Sequence, residues 1–180
     1  MSISRTAPRP VFRVVLSALV FPLALAGCSG FISIGGPDYE ALEKEIATEL
    51  DKAYAPISRK VESVKCPRLA DEPATGDTFI CVAKVEDKEV RVDVRVEDDE
   101  GSVEYKSRDI AFDLAATAAD ISTEASSQLG FAVTVDCGQG LKIVEVGSTF
   151  TCTAVEAEGD TATVVVTARN DGSSSWEITG

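Results

Sequence analysis

Histidine is absent from the 180 residues, methionine and tryptophan occur once each, and aromatic residues make up only 6%. Without histidine there is no Ser-His-Asp triad, no histidine base for a cysteine nucleophile and no histidine metal ligand. A glycine-rich phosphate loop ending in lysine is also missing, as is a nucleophile-elbow pattern around any serine. Positive charge is scarce: 17 Lys and Arg stand against 30 Asp and Glu, a net charge of −13. A field of that sign repels phosphates, which argues against nucleic acid and anionic substrates. Apart from one stretch near the start, long apolar runs are lacking, which excludes a membrane bundle. With 44% hydrophobic and 26% charged residues, the chain suits a soluble fold of one or two small units. The sequence therefore proposes no catalytic residue, no metal site and no cofactor.

The exception near the start is informative. Arg5, Arg9 and Arg13 precede "VVLSALVFPLALAG", which is too short and too proline-interrupted to span a bilayer comfortably and reads as a signal peptide over residues 1–27. Its end, Leu25, Ala26, Gly27 and Cys28, resembles the lipobox of bacterial lipoproteins. The resemblance implies a diacylglyceryl group on the Cys28 thiol, cleavage before Cys28 and a new amino terminus open to acylation. The chemistry fits, because small Ala26 and Gly27 let a peptidase approach and a thiolate is a strong nucleophile for thioether formation. Loss of Arg5, Arg9 and Arg13 leaves 14 basic against 30 acidic residues, a formal charge of −16. Such a chain has no electrostatic reason to bind anionic lipid from solution, so attachment is expected to come from the acyl chains. Residues 28–37 then read as a lipidated cysteine and flexible tether; Ser29 to Pro37 spans at most about 30 Å at roughly 3.4 Å per residue.

Five cysteines are an odd number, and lipidation of Cys28 accounts for the odd one. The other four are Cys66, Cys81, Cys137 and Cys152, separated by 15 within each pair and by 71 between pairs. At that same offset of 71, "GDTFIC" (76–81) returns as "GSTFTC" (147–152), Val64 matches Val135, and Asp38 matches Asp109. This is a tandem duplication with copies at 38–108 and 109–180. Four cysteines allow three pairings; the repeated spacing favours Cys66 with Cys81 and Cys137 with Cys152, because each copy then closes independently. No pair has metal-type spacing, and an exported chain meets an oxidising environment.

Each copy shows the same change of period. Tyr39, Leu42, Ile46 and Leu50 recur at helical spacing after Asp38 and before Pro56. Ile110, Leu114, Ala118, Ile121 and Ala125 form the second stripe, after Asp109. The period then becomes two: Phe79, Cys81, Ala83 and Val85; Val90 to Val96; Phe131, Val133, Val135 and Cys137. "DDEG" and "NDG" read as turns before last strands around Val103 to Tyr105 and Trp176 to Ile178. The expected fold class is α+β, two tandem units, each one helix packed on a four-stranded antiparallel sheet with one internal disulfide. Arg91, Asp93 and Arg95 should face solvent, Asp98, Asp99 and Glu100 should form a solvated turn, and Trp176 should belong to the core.

The pattern Cys66, Pro67, Gly76, Thr78, Phe79, Cys81, followed by an alternating valine strand, resembles an actinobacterial envelope domain catalogued as domain-of-unknown-function family 4333. The second copy departs from it, with Gly138 where the first has Pro67 and with "LKIVEV" before Gly147, so its clasp loop should be partly stranded. The resemblance implies an exported or lipid-anchored domain near a cell-envelope membrane and brings no activity with it. Three functional expectations follow: a non-enzymatic, lipid-anchored binding or structural module on the extracytoplasmic face of the cell membrane; an inhibitor of an extracytoplasmic enzyme, since paired helix-plus-sheet units are similar in outline to the β-lactamase inhibitor protein; and a glycan hydrolase working with carboxylates alone. The first copy carries 12 basic and 19 acidic residues and the second 2 and 11, so an envelope partner with a basic surface would meet the second copy.

Overall fold

A computed structural model of the chain describes residues 16–17, 29–33, 38–69 and 73–179; Arg5, Arg9 and Arg13, read as part of a signal peptide, and Leu25, Ala26, Gly27 and Cys28, read as a lipobox, lie outside the described residues. The first two strands are short, β1 (Leu16–Ser17) and β2 (Ser29–Ser33). Helix α1 (Tyr39–Tyr54) starts where Asp38 accepts a hydrogen bond from the Ala41 amide at 3.0 Å, the expected N-cap. It buries Leu42, Ile46 and Leu50 and ends at Tyr54, just before a single 3-10 turn containing Pro56. Four strands follow, β3 (Ser63–Lys65), β4 (Thr78–Val85), β5 (Lys88–Val96) and β6 (Ser102–Ser107). They pair antiparallel in the order β6-β5-β4-β3, with β2 added beside β6. The alternation holds: Phe79, Cys81, Ala83 and Val85 are buried against α1, as are Val90, Val92, Val94 and Val96.

The second unit contains one element that the helical stripe conceals. Asp109–Asp113 is a strand, β7, and helix α2 (Leu114–Leu129) starts five residues after Asp109, with Asp113 as its N-cap and Gly130 closing it at φ 78°. Ile110 is therefore a strand residue, and the helical counterpart of Asp38 is Asp113, 75 positions on, rather than Asp109. The difference from 71 is taken up after the helix: 12 positions separate Tyr54 from Cys66, but 8 separate Leu129 from Cys137. Then come β8 (Val133–Asp136), β9 (Leu141–Glu145), β10 (Thr149–Glu156), β11 (Thr161–Ala168) and β12 (Ser174–Thr179). Phe131, read as the first residue of an alternating strand, precedes β8 and is exposed. The second sheet runs β12-β11-β10-β8, and β1 adds two residues beside β12. The clasp loop is stranded as expected, but β9 pairs with β7 as a separate ribbon.

That ribbon explains the run Ile110, Ala111, Phe112, which has no polar residue to alternate with. Ala111, Leu141 and Ile143 pack into the first core, whereas Ile110, Phe112 and Val144 pack into the second. A strand covered on both faces needs apolar side chains on both. Phe112 meets Phe150 edge-on at 5.1 Å between centroids.

Ser29–Ser33, read from the sequence as part of the flexible tether, is a strand, with Ser29 opposite Lys106 and Ser33 opposite Ser102. It covers the outer edge of β6, whose backbone groups would otherwise stay unpaired. The opposite edges are covered by helix side chains. In the first unit the Asp51 carboxylate accepts from the Val61 amide (2.7 Å) and Glu43 from the Cys66 amide (2.9 Å). In the second, Ser126 Oγ accepts from the Val133 amide (2.9 Å) and Ser122 Oγ from the Val135 amide (2.8 Å).

The repeated glycines also have a backbone reason. Gly76 and Gly147 sit at φ 90° and 86°. There their amides donate to the Val96 and Ala168 carbonyls, at 2.8 and 2.7 Å, tying the start of β4 and β10 to the end of β5 and β11. A side chain disfavours that φ even though a Cβ at either position would meet nothing within 4 Å. Gly76→Ala and Gly147→Ala should each lose about 1–2 kcal/mol of stability, read from the urea midpoint at unchanged slope. An unchanged midpoint would show that the two turns tolerate a side chain.

Candidate functional site

The duplicated cysteines form two clasps at one register. Cys66 follows β3 and faces Cys81 on β4, and Cys137 follows β8 and faces Cys152 on β10, with Lys65 opposite Val82 and Asp136 opposite Thr153. The Cα atoms are 4.1 and 4.3 Å apart. Each bridge thus joins the first strand of a four-stranded unit to its neighbour on the helix side of the sheet. Cys81 is fully buried and Cys152 nearly so. Closing a loop with a separation of 15 contributes about 3 kcal/mol by chain entropy. Two such bridges place maturation in an oxidising, extracytoplasmic compartment. No helix among the described residues is long and apolar enough to cross a membrane.

A polar network surrounds the first clasp. Glu43 accepts from the Cys66 amide and from Arg68 Nη1, both at 2.9 Å, and Arg68 lies over the Tyr39 ring at 4.7 Å. Burial pushes the Glu43 carboxyl up, but the Cys66 amide, Arg68 and Lys65 together outweigh burial and hold it below its ordinary value of 4.5.

A second network locks the junction between the units. Asp109, 3% exposed, accepts from the Arg91 amide (2.8 Å), Nε (2.9 Å) and Nη2 (2.6 Å), and Glu145 also reaches Arg91 Nη2 at 3.2 Å. These hydrogen bonds, Asp109 first, push the Arg91 guanidinium well above its ordinary range despite burial. Arg59 pairs with Asp113 at 3.1 Å, linking the end of the first helical segment to the start of α2.

The outward face of the first sheet is the candidate interaction surface. Arg91, Asp93 and Arg95 point outward as their alternation requires, and β6 adds Glu104 and Lys106, both exposed. Rows of paired residues cross the sheet: Thr78, Arg95, Glu104 in one, and Ile80, Asp93, Lys106 in the next. Arg108 grips Asp93 with two bonds, at 3.0 and 2.6 Å. The side chains of these two rows and Arg108 line a groove of about 630 Å³, with Ile80 38% exposed in it. The surface offers exposed cations beside an apolar contact. Extending the alternation of Val103 and Tyr105 by one turn of the pattern would have found Glu104 and Lys106 in the sequence; no local signal could have joined Asp109 to Arg91.

The corresponding face of the second sheet is rich in threonine. Thr149, Thr151 and Thr153 on β10 stand opposite Thr167, Val165 and Thr163 on β11, with exposed Asp136 opposite Thr153 and exposed Glu177 opposite Val165. Other acids of this unit gather at Glu156, Glu158 and Asp160 around the β10–β11 turn. Trp176 is in the core, 9% exposed, with its indole N–H 3.4 Å from Glu124 Oε2. The acidic turn has a structural use: Asp98 Oδ1 accepts from the Glu100 and Ser102 amides, and Asp171 Oδ1 does the same for Ser173. Hydrogen bonds from Ser102 and Ser173 hold both carboxyls below their ordinary value.

Because the folded Glu43 carboxyl is held low, the stability it supplies is complete above its ordinary value of 4.5 and is lost as pH falls through the lower folded value. Glu43→Gln should therefore unfold at a lower temperature than the parent at neutral pH, and the gap should close on acidification below that range. A gap independent of pH would remove the charge from the explanation.

No curated protein and no solved structure matches the chain. One family, described as "Domain of unknown function (DUF4333)", matches residues 23–101 and again residues 105–172. Each matched segment contains the helix and the clasp of one unit and stops before that unit's last strand, β6 in the first and β12 in the second, and together they cover most of the chain. The chain belongs to the DUF4333 family and carries its domain as two tandem copies.

Proposed function

We propose that this protein is a lipid-anchored module of the cell envelope, held on the extracytoplasmic face of the membrane, that binds or organises a partner and performs no chemistry of its own. The observation that carries the reading is the fifth cysteine. Four of the five are used in the two clasps, and Cys28 stands at the end of an arginine-led apolar leader, in the sequence Leu25, Ala26, Gly27, Cys28. Acyl chains at Cys28 would anchor a domain in which no helix among the described residues is long and apolar enough to cross a membrane. Cleavage before Cys28 would also remove Leu16–Ser17, so the β1 pairing would not belong to the mature protein.

A partner with a basic surface would meet the second unit, where 11 acidic residues face only Lys142 and Arg169. The anchor keeps such a partner close to the membrane, and the pairing of Ser29–Ser33 with β6 shortens the free tether further. The inhibitor reading is weaker, because the two sheets are not joined into one continuous surface and a two-stranded ribbon belongs to neither. Carboxylate chemistry has little to stand on in the groove, where Asp93 is already bound by Arg108.

Cys28→Ser should move the protein from the detergent phase to the aqueous phase on extraction. Retention of the substituted protein with the membrane would remove the lipid from the account. A proximity label fused after Gly180 should recover an envelope neighbour with a basic surface in intact cells, and a second-unit variant with Glu156, Glu158 and Asp160 changed to Gln or Asn should recover less of it. Equal recovery by both would take the acidic turn out of the contact.

A further inference from the structure

We propose that the outward face of the first sheet, centred on Lys106, Arg95 and Ile80, lies against the anionic headgroups of the membrane that holds the anchor. This orientation rests on lipid attachment at Cys28. The first argument is one of reach. Strand β2 places Ser29 opposite Lys106, so that one row across four strands runs Ile80, Asp93, Lys106, Ser29. Neighbouring strands are about 5 Å apart, and Cys28 is one peptide from Ser29, about 3.8 Å between Cα atoms. The acyl chains therefore leave the protein within about 10 Å of the Lys106 backbone. A tether of one peptide has no slack, so the sheet edge beside Ser29 is held at headgroup depth.

The second argument is charge. The mature chain is strongly acidic, and by total charge it should be repelled from an anionic bilayer. The fold separates that charge. Lys84, Arg95 and Lys106 are exposed on the outward face of the first sheet, where Glu89 stands opposite Lys84 and Glu104 opposite Arg95, Glu97 lies 3.5 Å from Arg95, and Asp93 is bound by Arg108. With Arg91 and Arg108 the cations of this face outnumber Glu89, Asp93 and Glu104. The second unit carries 11 acidic and only 2 basic residues. An anionic surface attracts the cations of the first face and repels the acids of the second unit. The anchor supplies the binding, so the cations need only supply the torque. Ile80, 38% exposed in the middle of the groove, gives the face an apolar contact between its charges.

The test uses the full acylated protein in vesicles of phosphatidylcholine alone or of phosphatidylcholine with phosphatidylglycerol, treated with an amine-reactive ester and mapped by mass spectrometry. Lys106 reports the proposed contact, and Lys44 on α1, exposed on the other side of the sheet, is the control. In vesicles with phosphatidylglycerol, modification of Lys106 should fall about fivefold relative to Lys44, the equivalent of the ~1 kcal/mol that one basic side chain gains near an anionic surface. High salt should weaken that protection. Arg95→Glu, exposed and outside both clasps, should reduce the protection of Lys106 without affecting the fold. Equal modification of Lys106 and Lys44 in protein that floats with the vesicles would overturn the orientation. Protein that does not float would overturn the lipid attachment and the orientation with it, so the two failures are distinguishable by flotation alone.

Discussion

A strand of three residues cannot hold itself on a sheet, and the first unit depends on one. Strand β3 pairs with β4 through Ser63, Val64 and Lys65 only, and the chain leaves it at once for a loop with two prolines. The Cys66–Cys81 bridge fixes its end covalently, while Glu43 and Asp51 of α1 bind the amides on its free side. The second unit solves the same problem with Cys137–Cys152 and with two serine hydroxyls in place of the carboxylates. A unit of about 70 residues buries too small a core to do without such ties. The same ties bring the helix onto the sheet and so turn the valine face inward and the charged face outward.

The two units are not independent beads. The β7–β9 ribbon contributes Ala111, Leu141 and Ile143 to one core and Ile110, Phe112 and Val144 to the other, and Arg91 meets a buried carboxylate from the second unit at its edge. A buried charge left without its partner is costly, so the Arg91–Asp109 pair resists separation of the units at that point. One consequence is that charge segregation persists at the scale of the whole chain. Freely rotating units would average out the mixed-charge face of one and the acidic turn of the other.

That segregation is what the proposed membrane-proximal role would use. In that proposal the leader-linked cysteine and the two clasps put the emphasis on position. The groove on the first sheet and the threonine face of the second are surfaces of opposite character, one charged and one hydroxyl-rich, presented by the same duplicated scaffold. Duplication preserved the inner face, where valines and cysteines must fit, and left the outer faces free to diverge.

The tandem copies, both helical stripes, the main strands and the cysteine spacing were legible in the sequence, because period, punctuation and repetition are local properties of the chain. The inward course of Val90 to Val96 and the burial of Trp176 follow from alternation alone. Strand β7 was not legible: Ile110, Ala111 and Phe112 continue the apolar phase of α2, and only packing between two cores separates strand from helix there. The role of Asp109 was equally hidden, since its partner Arg91 lies 18 residues away and the two meet only because β5, β6 and β7 fold back on one another. The sequence by itself thus determined the repeat, the clasps' spacing and the inward and outward faces. Tertiary structure alone decided which edges are covered, where the second helix begins and which charges neutralise one another, because each of those depends on distances across strands that no local period encodes.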